Sequence, residues 1–189
     1  MKLFYIVSFI VIAVALIAVA IGFSASKHLK RDYHADASAG IERTKNIAPT
    51  LVTVADLAHL PDLIRNYLVY VGVVGKPKVY SMQVQFSAEM RSRTQGWFKL
   101  AAEQHSFFDK YERLFYLDAK VKGLPTMGYH RYKDNSAYMK IKLLGLLPVV
   151  DVEGDMMFKA ETVTMFNDMC IMAPATLIDT SIEWETLDS

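Results

Sequence analysis

No residue between Leu3 and Ser26 is charged, and the stretch from Leu3 to Phe23 (LFYIVSFIVIAVALIAVAIGF) is almost wholly apolar. A helix rises ~1.5 Å per residue, so ~20 such residues cross the ~30 Å hydrocarbon core of a bilayer. One isolated segment there must be helical, because only a helix satisfies its own backbone N–H and C=O groups. The run therefore predicts a membrane-inserting segment over residues 1–26. A cleaved secretory signal is the competing reading. Lys2 would be its basic start, and Ala20-Ile21-Gly22 or Ser24-Ala25-Ser26 its small-x-small site. The run exceeds the ~7–15 apolar residues of such a signal, which favours a retained single-pass anchor. Lys27, Lys30 and Arg31 follow the run and only Lys2 precedes it, so the positive-inside rule leans towards a cytoplasmic body.

Lys2 is the only charged residue before Lys27. Removing it from the chain's 21 Lys+Arg leaves 20 against 20 Asp+Glu. A body without basic excess argues against nucleic acid as a partner. The single cysteine, Cys170, excludes an internal disulfide framework, and no cysteine near residue 20 is available to accept a lipid. Ten Met, ten Tyr and ten Phe suffice for a sizeable core and suit an adaptable apolar cavity.

Residues 27–55 are mixed and polar and predict a juxtamembrane linker. A helix is expected after Pro61, with Leu63, Ile64, Tyr67, Leu68 and Val71 as one apolar stripe and a stop at Gly72 and Gly75. From Val79 the period changes from 3.6 to 2. Met82, Val84, Phe86, Ala88 and Met90 alternate with polar residues, the pattern of a half-buried strand. Further strands are expected over 97–107, 111–121, 127–133 and 137–144. Turns lie at Arg91–Gly96, Asp109-Lys110, Lys122–Pro125 and Asp134–Ser136. With no helix between them, these strands predict an antiparallel meander. Pro148 makes 145–150 an edge strand or a crossing loop. A helix over 160–172 should bury Val163, Phe166, Met169 and Cys170 and stop at Pro174, and residues 181–187 should begin another strand. The fold class is thus α+β: a transmembrane helix, a helix, and an antiparallel meander of half-barrel type with a helical insertion.

The body from about Leu57 to Asp188 resembles an uncharacterised family of bacterial membrane-anchored proteins, a domain of unknown function. The residues that carry the resemblance are LPDLIRNYL at 60–68, YVGVVGKPK at 70–78, Met90-Arg91, Trp97 and Glu103-Gln104, with GYHRY at 128–132, KIKLLGLLPVVDVEG at 140–154 and ETVTMFNDMCIMAPATLID at 161–179. The resemblance implies no activity. It implies more strands after Trp184, so the 56–189 domain is expected to be C-terminally truncated relative to the family. The order of elements also looks like the half-barrel of bacterial lipoprotein carriers, which implies a concave apolar face fit for an acyl chain.

Two classes of function follow. In the first, the protein binds a lipid-like ligand or an envelope partner, with Trp97, Phe98, Phe115 and Tyr116 as candidate ligand-binding residues. In the alternative it is a hydrolase-like enzyme built on Cys170, Asn167, Glu103 and His105. Asn167 and Cys170 share a helix face at i, i+3, and Glu103 and His105 share a strand face at i, i+2. His130 and Asp134 would complete an acid–base or metal constellation if they joined Glu103 and His105. HExxH, CxxC, GxSxG and Walker-type loops are absent, so no metal or cofactor is expected.

Overall fold

The computed structural model describes residues 2–93 and 96–185, without the side chains of 2–4, 15–16, 18–27 and 92. Among the described residues there are three α-helices, α1 (Lys2–Thr44), α2 (Asp62–Tyr70) and α3 (Asp155–Met172), and two 3₁₀ turns at Ala55–Leu57 and Pro174–Ile178. The six strands are β1 (Ser81–Ser92), β2 (Gly96–Phe107), β3 (Glu112–Val121), β4 (Leu124–Lys133), β5 (Ser136–Leu143) and β6 (Leu147–Glu153). They form one open antiparallel sheet in the order β1-β2-β3-β4-β5-β6, the expected meander. Two-residue turns set the register of its central hairpins. Lys122 and Gly123 (φ 52° and 79°), like Asp134 and Asn135 (φ 55° and 54°), take the positive φ that a tight hairpin demands. β6 resolves the ambiguity around Pro148 as an edge strand paired only with β5.

The expected linker is the main departure from the sequence-based reading. Residues 28–44 continue α1 and lie on one face of the sheet. Leu29, Tyr33 and Ala37, one helical turn apart, are buried with Phe107, Leu114, Tyr116, Met127 and Tyr129. The apolar stripe is one residue wide and includes an alanine, too narrow for a periodicity reading to detect. Polar ties complete the joint. Asp36 accepts hydrogen bonds from Tyr129 Oη (2.8 Å) and Arg131 Nε (2.9 Å) and lies 3.2 Å from Lys133 Nζ. Arg43 donates to Asp109 (2.6 Å) and Glu112 (2.7 Å).

Nearer its N-terminus α1 exposes apolar side chains: Tyr5, Ile6, Val7, Phe9, Ile10, Val11, Ile12 and Val14 are all exposed. No helix is long and apolar enough to cross a membrane among the described residues; the expected span also takes in 15–16 and 18–27, whose side chains lie outside them.

The second face of the sheet is covered at one end by α2, α3 and the 3₁₀ turns, whose core includes Leu57, Leu68, Phe108, Tyr132, Met157, Met165, Met169 and Leu177. α3 starts at Asp155, earlier than expected, and its buried side matches the expected one in part: Met169 is buried and Cys170 packs against the core, but Phe166 and Val163 are exposed. Met157, Glu161, Met165 and Met169 face inwards while Val163 is 60% exposed. Apolar residues surround this helix, so periodicity alone could not choose its buried side. In α2 Leu68 is buried but Leu63 is 79% exposed. The strand expected from Ser181 does not form over residues 181–185, where Ile182 and Trp184 pack against the end core instead; residues 186 and 187 lie outside the described residues.

Candidate functional site

Alternation along the strands divides the sheet into an α1 face and an α3 face. On the α3 face β2 presents Phe98, Leu100, Ala102, Gln104 and Ser106, and β3 presents Arg113, Phe115, Leu117 and Ala119. The residues are apolar towards one end of the strands and polar towards the other. Arg113 organises the polar end, beneath α3. Its guanidinium donates to Asp168 (2.8 Å), Glu161 (3.1 Å) and Gln104 Oε1 (3.1 Å). Gln104 Nε2 donates to Asp168 (2.7 Å) and Ser106 Oγ (3.0 Å), and His130 Nδ1 lies 3.5 Å from Glu161. Burial alone would raise the Glu161 pKa, but the His130 contact and the charge of Arg113 hold it below the usual carboxylate range. A buried charge needs such partners, and the cluster fastens α3 to the sheet.

At the apolar end no helix residue joins the packing among the described residues. Leu100, Ala102 and Ala119 form a cluster with half-buried Phe86, Phe98, Phe115 and Leu117 against it, all from β1, β2 and β3. Phe115 links the two halves. Arg113 lies over its ring at 5.2 Å, and the rings of Phe86 and His130 stand 5.9 and 5.6 Å away. The arrangement is an open apolar surface ending in a buried polar cluster.

The expected ligand residues divide. Phe98 and Phe115 meet on this surface. Tyr116 is on the α1 face, buried beside Tyr33 and Tyr129 at 6% exposure. Its hydroxyl pKa is pushed up to about 12 by burial, with a contribution from Asp118. Trp97 is also on the α1-face side, at the β1–β2 turn, and is 67% exposed.

The four catalytic candidates lie on opposite sides of the sheet. Glu103 and His105 share the α1 face as expected, 4.0 Å apart. However, Tyr33 covers His105, with its hydroxyl 2.7 Å from Nδ1. Burial lowers the His105 pKa, against the pull of Glu103 and with help from His34. Cys170 and Asn167 are on α3. Asn167 is exposed; Cys170 is half-buried and its thiol pKa is raised by burial, the reverse of what activates a nucleophile. Its carbonyl accepts a hydrogen bond from Tyr67 Oη. His130 faces α3, and Asp134 pairs with Arg131 in the β4–β5 turn, so neither joins Glu103 and His105. No three metal-ligating side chains converge among the described residues.

Sequence reasoning overlooked Gln104, Arg113, Glu161 and Asp168. Their signal was present: Gln104 and Ser106 continue the face of Phe98, Leu100 and Ala102, and Arg113 continues that of Phe115 and Leu117. A change from apolar to polar at one register on neighbouring strands marks where something polar must cover a sheet.

Residues 50–189, which begin just after α1, match the model of a family described as a family of unknown function (DUF6544). No curated protein and no solved structure matches the chain.

Proposed function

We propose, for a chain that belongs to the family of unknown function DUF6544, a single-pass membrane protein that holds a lipid-like hydrophobic ligand on the open half of its sheet. The carrying observation is the apolar cluster of Leu100, Ala102 and Ala119, to which Phe86, Phe98, Phe115 and Leu117 add half-buried side chains and, among the described residues, no helix contributes. Exposed apolar patches rimmed by polar groups are where partners or ligands sit. The likeness in element order to lipoprotein-carrier half-barrels supports a ligand with an acyl chain; it is a likeness of plan alone. The anchor is supported by the charge-free run and by its exposed apolar residues, Tyr5 to Val14, which occupy every side of α1. A helix apolar all round belongs inside a large core or in a bilayer.

The test is photolabelling of the full chain in cells fed a diazirine fatty acid, with adducts mapped by mass spectrometry. Adducts on the peptides holding Phe86, Phe98, Phe115 and Leu117, besides those on α1, are the expected result. Phe98→Ser should reduce the sheet adducts severalfold and leave those on α1 unchanged. Labelling confined to α1 would refute the ligand surface. Release of the protein from membranes by alkaline carbonate would refute the anchor.

A further inference from the structure

A meander brings alternate turns out at the same end. The turns joining β1 to β2, β3 to β4 and β5 to β6 all lie at one end of this sheet, and α1 points its N-terminus the same way. Arg43 meets Asp109 and Glu112 at the opposite end. Further N-terminal in α1, Gly40 meets Phe107, Tyr33 meets His105 and Tyr116, and Lys30 lies over Tyr116 at 5.9 Å. From Tyr116 the strand runs ~17 Å to Val121 at ~3.3 Å per residue. A helix covers that distance in about 11 residues. The turns therefore lie level with about residue 22 of α1, close to where the charge-free run ends at Ser26.

The composition of these turns is distinctive. Arg91, Arg93, Lys120 and Lys122 are exposed there, and Lys142 is half-exposed. Between them stand exposed apolar side chains: Trp97 (67%), Leu147 (58%), Leu124 (42%) and Leu144 (42%). At the opposite end acids and bases are mixed: Asp109 and Glu112 pair with Arg43 and Asp134 with Arg131, beside Lys110, Lys133, Glu153 and Asp155. The turn end thus carries Arg91, Arg93, Lys99, Lys120, Lys122 and Lys142 against Glu89 and Asp118, a basic excess in a chain whose formal net charge is only +1. Tryptophan and leucine among arginines and lysines is the composition of a surface seated at a bilayer interface.

We propose that the three turns form a second membrane contact, resting on the anionic headgroups of the bilayer that α1 enters. The proposal rests on the anchor reading above. It places the open apolar surface, whose Phe98 and Leu117 adjoin these turns, with its mouth on the membrane. An acyl chain would then reach Phe115 without crossing water.

Trp97 and Trp184 are the only tryptophans, so Trp184→Phe makes Trp97 a single reporter. The full-length variant is reconstituted into vesicles of phosphatidylcholine alone or with phosphatidylglycerol, with bromine on shallow acyl positions. In the anionic vesicles Trp97 should emit at shorter wavelength and be quenched. Each charge removed in an Arg91→Gln, Arg93→Gln, Lys120→Gln, Lys122→Gln series should lower the docked-to-free ratio about fivefold. Raising salt from about 0.1 to about 1 M, which shortens the screening length from ~10 to ~3 Å, should release the turns. Carbonate extraction reports the anchor separately. An anchored protein whose Trp97 emission is the same in neutral and anionic vesicles overturns the docking alone, and extraction by carbonate overturns anchor and docking together.

Discussion

Gly40 of α1 lies against the ring of Phe107 in β2 so closely that a Cβ on the glycine would stand 2.3 Å from Cε2 and Cζ. Phe107 is fully buried and has no room to withdraw. Gly40→Ala would gain ~1 kcal/mol of helix propensity but force an overpacked contact costing ~1–3 kcal/mol, so a net loss of about 1 kcal/mol is expected. Phe107→Leu should recover part of it. The check is a double-mutant cycle by chemical denaturation. Additive effects would show that α1 and the sheet are not in contact at this point.

Among the described residues Arg113 is the cation that bridges Glu161 and Asp168, with His130 3.5 Å from Glu161 alone. Arg113→Met leaves two carboxylates under α3 with no guanidinium between them. A loss of about 3–5 kcal/mol is expected, as for other buried pairs broken on one side. Replacing Glu161 and Asp168 as well, with Met and Leu, should recover most of that loss. Hydrogen exchange would locate the single mutant's loosening in α3 and not in α1.

Stability should fall as pH drops below the ordinary histidine value of 6.5, and His105 is the residue responsible. Its folded pKa is lowered, chiefly by burial, so the unfolded chain takes up the proton first. Both states are neutral above pH 6.5 and the full stability is present there. It declines as pH falls towards the folded pKa and levels off below it. Glu161 and Asp36, whose pKa values are held down, give losses only in the acidic range near and below the ordinary carboxylate values of 4.5 and 3.8. His105→Gln keeps a polar group near Tyr33 and cannot titrate. A variant whose melting temperature retained the full wild-type fall between pH 6.5 and the acidic range would exclude this assignment.

Trp184 Nε1 is buried with no hydrogen-bond partner among the described residues, while its ring packs 6.0 Å from that of Phe166. An unpaired buried donor costs ~1–3 kcal/mol. Trp184→Phe keeps an aromatic ring and removes the donor, so stability should hold or rise slightly. A fall of more than about 2 kcal/mol would mean that the indole N–H has a partner.

The meander was legible in the chain because β1 to β5 obey a local rule. Residues two apart share a face, and Lys122-Gly123 and Asp134-Asn135 are tight-turn sequences whatever surrounds them. The apolar surface was half legible on the same grounds, since Phe98 and Phe115 each sit in an alternating run. Which faces would touch was not local information. Trp97 and Tyr116 read like Phe98 and Phe115 until the register placed them on the other side.

Sequence alone determined the charge-free run, the period-two strands and the positions of the turns, because hydrophobic spacing and backbone preference act over a few residues. Only the tertiary structure decided that residues 28–44 are a packed helix and not a linker. Their hold on the sheet depends on Tyr33 meeting His105 and Asp36 meeting Tyr129 and Arg131, partners more than seventy residues away. The same reason governs α3. Its buried side was chosen by Arg113 on a distant strand, whose charge must be neutralised once the sheet is covered.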